Sequence, residues 1–177
     1  MSHAPEPPLE VTDTKLLRRA FGAFATGVTV VTVGESAPHG MTANSFTSVS
    51  LDPPLVLVCI DRSAIMHRRL SLAGCFGVSV LAAHQESVAR HFADRWRALG
   101  PAQFDGIDWQ PGQLTGVPLI GGAIASFECD LWRVYDGGDH TIFIGQLLTL
   151  CWQGDGDALL FFHGQFRQFK ERSEVTA

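Results

Sequence analysis

The residues with the most chemistry to offer are His39-Gly40-Met41-Thr42-Ala43-Asn44-Ser45-Phe46-Thr47-Ser48-Val49-Ser50, a run of small hydroxyl and amide side chains inside an otherwise apolar chain. Small residues let backbone amides approach a planar ligand, and Asn44 with the Ser and Thr hydroxyls offers donors and acceptors in several directions. The pyrimidine edge of a flavin ring needs such a set; a polar strand facing solvent fits the composition equally well. A second segment is Gly137-Gly138-Asp139-His140-Thr141-Ile142-Phe143-Ile144-Gly145. His140 follows a tight turn, where it could give a hydrogen bond or a proton to a reducible ring, or simply be a surface histidine. In a third, Val88 to Ala93, Arg90 and His91 sit on a helical stretch and can meet a phosphate or line a solvated face. A fourth, Leu159 to Gly164, reads as a C-terminal strand whose Phe161 or Phe162 could wall a ring-shaped pocket.

The elements that must position these residues are mostly strands. Thr14 to Ala25 carries Leu16, Leu17, Ala20, Phe21 and Phe24 on one helical face, with Thr12 and Asp13 as caps. Val28 to Val33 is β-branched throughout and reads as a strand. Met41 to Ser50 is a second, bent strand, ended by Asp52-Pro53-Pro54; Leu55 to Ile60 is a third. Short helices are expected at Ser63 to Ala73, capped by Ser63, and at Glu86 to Ala93, with a strand from Cys75 to Leu81 between them. Residues 94–116 lose periodicity and gain Gly, Pro and Trp, a long loop of the kind that usually carries function. Strands follow at Ile124 to Tyr135, Thr141 to Trp152 and Ala158 to His163. Strands without a helix between every pair disfavour a doubly wound parallel sheet. The expected fold class is mainly β: a Greek-key split β-barrel of about seven strands with peripheral helices, which limits exposed sheet edges.

Composition narrows the function. The chain has 177 residues, 46% hydrophobic and 18% charged, enough for one cored domain and too little charge for disorder. A formal net charge of -5 disfavours a nucleic-acid partner. Cys59, Cys75, Cys129 and Cys151 form no CxxC pair and have no histidine at zinc spacing, so they are expected as buried reduced thiols and no metal site is expected. No run reaches the ~18 apolar residues of a membrane helix and no signal peptide is recognised, so a cytoplasmic protein is expected. There is no GxGxxG after a strand, no Walker loop, no GxSxG and no HExxH. A tail at residues 1–12 with Pro5, Pro7 and Pro8, a domain at 13–170 and a C-terminal tail at 171–177 complete the organisation.

Taken in order, these segments resemble the flavin reductase-like family of FMN-binding split-barrel proteins, from about Leu17 to Arg167. The series runs Ala25-Thr26-Gly27-Val28-Thr29-Val30-Val31-Thr32, Gly40 to Phe46, Ser50-Leu51-Asp52-Pro53-Pro54-Leu55-Val56 and Gly77-Val78-Ser79-Val80-Leu81. It continues with Phe104-Asp105-Gly106-Ile107, Gly137 to Gly145 and Phe161-Phe162-His163-Gly164. The resemblance implies a homodimer that takes FMN or FAD together with NADH or NADPH. His39 and Gly40 to Phe46 would line the flavin ring, through backbone groups of Thr42, Ala43 and Ser45 and the side chain of Asn44. Cys59, Ile60 and Asp61 would follow the ribityl chain, and Ser79, Arg90, His91 and Phe92 the phosphate side. His140 and Phe161 to Gly164 would meet the nicotinamide. Ser79 stands where the family often has Asn, and Arg90-His91 where it often has two arginines.

The function so implied is reduction of free flavin by NAD(P)H, supplying a partner monooxygenase, with His140 as the catalytic residue. Two other readings share the fold: an FMN-bound reductase of another acceptor, such as a metal complex or corrinoid, and a non-catalytic flavin- or haem-binding module.

Overall fold

The computed structural model describes residues 12–34, 37–154 and 156–169. The expected tails fall outside them, apart from Thr12. In chain order the elements are α1 (Thr14–Phe21), β1 (Thr26–Gly27), β2 (Thr29–Val33), β3 (His39–Ala43), β4 (Thr47–Leu51) and β5 (Pro54–Asp61). Then come α2 (Ile65–Ala73), β6 (Cys75–Val80), α3 (Glu86–Ala93), β7 (Trp109–Pro111), β8 (Pro118–Ile120), β9 (Ala125–Gly137), β10 (His140–Trp152), β11 (Leu160–Phe162) and β12 (Gln165–Arg167). The single bent strand expected from Met41 to Ser50 is instead two, β3 and β4, broken at Asn44 to Phe46 and placed at opposite edges of the sheet; the other strands beyond the expected seven are two or three residues long, too short to leave a periodic signature.

Seven strands form one antiparallel sheet in the order β3-β2-β6-β9-β10-β5-β4. Its two edge strands are consecutive in sequence. Only Asn44, Ser45 and Phe46 join β3 to β4, and four Cα steps reach at most roughly 14 Å. The sheet must therefore curl until its edges lie side by side, and those edges do not pair with each other. That is a barrel with a split, mainly β as expected. Ser45 pins the link across it: its hydroxyl donates to Cys59 O (2.8 Å) and accepts from Cys59 N–H (3.1 Å) on β5.

The barrel interior is filled by Val31, Val33, Val58, Ile60, Phe76, Val78 and Phe143, with Met66 and Leu70 of α2 plugging one end. A second cluster, including Val30, Leu81, Ala89, Phe92 and Phe104, seats α3 on the outside of the sheet. The helix at Glu86–Ala93 ends where the sequence pattern predicts. α1 does not: Asp13 caps it, accepting from the N–H of Lys15 and Leu16, but it stops at Phe21 and buries no residue. Leu16 and Leu17 are half-buried, whereas Phe21 at its end and Phe24 just beyond it face outward, 71% and 77% exposed. Ser63 does not cap α2; Ala64 occupies the cap position.

Candidate active site

A cavity of about 440 Å3 opens at the split, within the roughly 300–1,000 Å3 usual for ligand pockets. One wall is β3 and the link after it: His39, Met41, Thr42, Ala43, Asn44 and Ser45. The facing wall is Cys59 and Asp61 of β5 with His140 of β10. Alternation along β5 sends Cys59 and Asp61 to the cavity and turns Ile60, fully buried, into the core. Phe92 and Ala93 form the α3 side, and Arg95, Arg97 and Leu99 of the following loop make the rim.

The donor set at β3 differs from its composition. The Thr42 hydroxyl is spent on Ala89 O of α3 (2.7 Å) and the Ser45 hydroxyl on Cys59. What stays open is main chain and the exposed Asn44 side chain. Gly40 shows which way the backbone faces. Its N–H donates to Gln103 Oε1 (2.8 Å) and its carbonyl accepts from Arg97 Nη2, both away from β2. Antiparallel pairing alternates inward and outward bonds, so the N–H and C=O of Thr42, two residues on, point the same way, into the split. Gly40 itself must be glycine: a Cβ there would lie 2.6 Å from Phe92 Cε1.

The β9–β10 hairpin carries His140 to the opposite wall, and its tip is fixed. Gly138, at φ 79°, closes the turn. Its N–H donates to Asp136 Oδ1 (2.8 Å), and Arg62 donates to its carbonyl (2.9 Å) while pairing with Asp136 (3.1 Å). His140 Nδ1 lies 2.7 Å from Asp139 Oδ1. A carboxylate only accepts, so Nδ1 carries the proton and Nε2 is left for a ligand. His140 pairs across the strands with Asp61. The Ser63 hydroxyl and N–H each donate to Asp61 Oδ1 (2.7 Å) and hold its carboxyl below the ordinary value, with smaller help from His140 and Arg95. Burial raises the Cys59 thiol, so it is a neutral wall residue.

His39 is 2% exposed and its Nδ1 has no hydrogen-bond partner among the described residues; neither has Arg97 Nε. Burial first, then Arg97 and Arg69, lowers the His39 pKa from 6.5 to about 4. Arg97 also donates to Asp94 O (2.5 Å), tying the rim loop to β3.

The remaining expected residues lie elsewhere. Phe46 stacks on Phe127 at 5.8 Å. Ser79 is buried in β6, its hydroxyl accepting from Ile120 N–H (3.0 Å). Arg90 pairs with Glu86 (2.6 Å) and covers Phe166, and His91 Nε2 meets Gln103 O (2.7 Å). Both point along or beneath α3 because helical geometry puts them on faces other than that of Phe92. Phe161 and Phe162 belong to the small β1-β11-β12 sheet, and His163 and Gly164 border a separate open concavity beside α1. The rim cations Arg95 and Arg97 were missed because they sit on an aperiodic stretch. Their signal was the loop's length and the clustering of arginine with Trp96.

Residues 21–170 match the family described as "Flavin reductase like domain". The chain belongs to the flavin reductase-like family. It is 55% identical over 172 residues to the NADH-dependent FAD reductase of Streptomyces globisporus, covering 96% of this chain and 94% of that protein. Among solved structures it is similar to BorF, the flavin reductase component of a bacterial two-component tryptophan halogenase, at 58% identity and a TM-score of 0.86, over 90% of this chain and all of that one. It is similar also to the Streptomyces globisporus NADH:FAD oxidoreductase SgcE6 in complex with NAD and FAD fragments, at 51% identity and a TM-score of 0.88, over 96% of this chain and 100% of that one. As a member of the flavin reductase-like family the chain is an oxidoreductase.

Proposed function

We propose that this chain is an NADH-dependent flavin reductase whose flavin lies in the split of the barrel and leaves reduced for a partner monooxygenase. The observation that carries the placement is the outward-facing main chain of Thr42 beside an exposed Asn44, on an edge strand that no other strand covers. A ring with carbonyl and N–H groups along one edge satisfies these atoms. The rim cations Arg95 and Arg97 suit a phosphate, which assigns the phosphate side to them in place of Arg90 and His91. Bound flavin supplies the acceptor position for a hydride from the nicotinamide.

The chain's own residues do the rest. Main-chain N–H groups of the β3 wall stabilise negative charge on the reduced ring. Phe92 and the Cys59 wall exclude water from one face. His140, oriented by Asp139, holds the nicotinamide or moves a proton through Nε2. Steady-state oxidation of NADH and NADPH with FMN and with FAD tests the reading. Flavin-dependent oxidation is expected, and its absence with every pair overturns it. His140→Ala should lower kcat/KM for NADH by about 10²-fold with the fold intact; unchanged kinetics would remove its role.

We infer also that the protein is a homodimer. Trp132, Val134 and Tyr135 of β9 and Leu150 and Trp152 of β10 are exposed, as are Val49 and Leu51 of β4. Monomers seldom leave so many large apolar groups in water, and a second copy of the same face covers them. Sedimentation should give twice the chain mass. No described helix is long and apolar enough to cross a membrane.

A further inference from the structure

The free edge of β3 is shorter than the strand itself. Along an antiparallel edge every second residue turns its N–H and C=O outward, and the bonds made by Gly40 set the parity: Pro38, Gly40 and Thr42 face away from β2. Proline has no N–H. The outward groups are therefore Pro38 O, Gly40 N–H and O, and Thr42 N–H and O. The flavin placement proposed above uses the Thr42 pair. The other three are taken by this chain. Gln103 Nε2 donates to Pro38 O (2.9 Å), Gln103 Oε1 accepts from Gly40 N–H (2.8 Å), and Arg97 Nη2 donates to Gly40 O.

Gln103 is built in rather than laid on. It belongs to a 3-10 turn at Gly100–Phe104 and is 0% exposed. Its neighbour Phe104 is buried against Phe92 and Trp109, with ring centroids 5.2 and 5.4 Å apart. Its own carbonyl accepts from His91 Nε2 of α3 (2.7 Å). Gln103 Nε2 donates also to Gly100 O (2.9 Å), so the amide nitrogen and the oxygen are both engaged. Turning the carboxamide over would set its NH2 against Gly40 N–H and its oxygen against two carbonyls, so its orientation is fixed.

A carboxamide carries the same acceptor and donor as a peptide group. Bonded to the C=O of Pro38 and the N–H of Gly40, Gln103 takes the place that a peptide of a neighbouring strand would hold. It is not among the residues that line the cavity, so it acts on a ligand there only through β3.

We propose that Gln103 is a positioning residue: it ends the usable edge of β3 at Gly40 and so gives the flavin ring a single register, on Thr42. Naming the ring a flavin rests on the function proposed above; the cap on the edge does not. Without the cap, Pro38 O and Gly40 N–H form a second acceptor–donor pair, one dipeptide or roughly 6.5 Å back along the strand. A misplacement of only about 1 Å already costs catalysis.

Hydrogen exchange of single amides, read by NMR on the full chain with and without saturating FMN, tests the proposal. In the wild type Gly40 N–H should exchange slowly in both conditions, and FMN should slow Thr42 N–H. Gln103→Met keeps the side-chain length and loses its hydrogen bonds. There Gly40 N–H should exchange about tenfold faster or more, as the loss of one buried bond implies, and FMN should slow Gly40 as well as Thr42. The kcat for NADH oxidation at saturating FMN should fall by about half or more, following the share of rings bound off register. Gln103→Glu keeps an acceptor for Gly40 N–H and should return the wild-type exchange pattern. If Gln103→Met does not fold, Gln103→Asn, whose amide is one methylene short of Gly40, must show the same FMN-dependent protection. Fast exchange of Gly40 N–H in the wild type overturns the proposal. So does FMN slowing Thr42 alone in the variant, whatever happens to kcat, and that result leaves the flavin placement standing. If FMN does not slow Thr42 in the wild type, the placement falls and this proposal with it.

Discussion

The carboxylate of Glu128, the ring of His39 and the Nε of half-buried Arg97 are all taken out of water, yet they are treated in opposite ways. Glu128, 1% exposed, is met by its own chain: Leu114 N–H (3.0 Å), Thr115 N–H (2.7 Å) and the Thr115 hydroxyl (2.7 Å) all donate to Oε2. Burial works to raise its pKa, but these hydrogen bonds outweigh it and hold the carboxyl below the ordinary value. At the split, His39 Nδ1 and Arg97 Nε have no partner among the described residues, and Asn44 stands open to solvent. Buried polar groups are nearly always paired, so a cluster that leaves some unpaired carries a cost that stability alone does not explain. The closed cluster holds the 112–117 loop against β9; the open one is left for the flavin under the function proposed above.

Breaking each cluster should therefore harm different things. The largest effect is expected for Arg97→Ala, which removes a charged donor shared by Gly40 and Asp94 and a rim cation together. A loss of about 2–3 kcal/mol corresponds to roughly 30- to 160-fold in KM for flavin, read from initial rates; Arg97→Lys should not recover it, since a single ammonium cannot span both carbonyls. Glu128→Gln comes next. It should cost about 1–3 kcal/mol in urea unfolding and leave KM for flavin where it was. A large change in KM with no loss of stability would erase the contrast.

The open cluster also predicts a pH dependence. The unfolded chain takes a proton at His39 near 6.5, whereas the folded chain resists until about 4. Between those values the unfolded state holds more protons, so stability falls as the pH drops through that window and is flat above it. His39→Gln should reduce the drop in urea midpoint between pH 7 and pH 5; an unaltered drop would show that His39 does not titrate as its surroundings dictate. The smallest effect is expected for Arg90→Ala. With its guanidinium paired to Glu86 and laid on Phe166, its loss should change KM for flavin by less than about twofold, as exposed pairs contribute little.

Arg90 and Arg97 also mark how far the sequence could be read. The longer strands, the α3 boundaries and the β9–β10 turn are legible, because period and turn chemistry are local; the break that parts Met41 to Ser50 into β3 and β4 is not, since it is the closing of the sheet that sets them on opposite edges. The turn that precedes His140 is legible, and the fold sets that residue on the cavity wall. Which cation faces the cavity was not legible: Arg90 sits on a regular helix that advertises it, but its partner Glu86 lies one turn away and consumes it. Arg97 sits on a stretch without period, and only the fold brings it to Gly40. The side chain of Ile60 enters the core while those of Cys59 and Asp61 face the cavity, because adjacent residues of a strand face opposite sides. The outward face of α1 was likewise invisible, since an apolar stripe does not say whether its partner is the same chain or another.

Hydrogen exchange of the full chain, with and without saturating FAD, tests most directly whether the split holds the flavin. The account predicts slowed exchange in peptides covering Thr42 to Phe46 and the rim loop from Asp94 to Leu99, with the β11–β12 turn at His163 and Gly164 unchanged. Protection confined to that turn or to the outer face of α3, with Thr42 to Phe46 exchanging as fast as before, would contradict it.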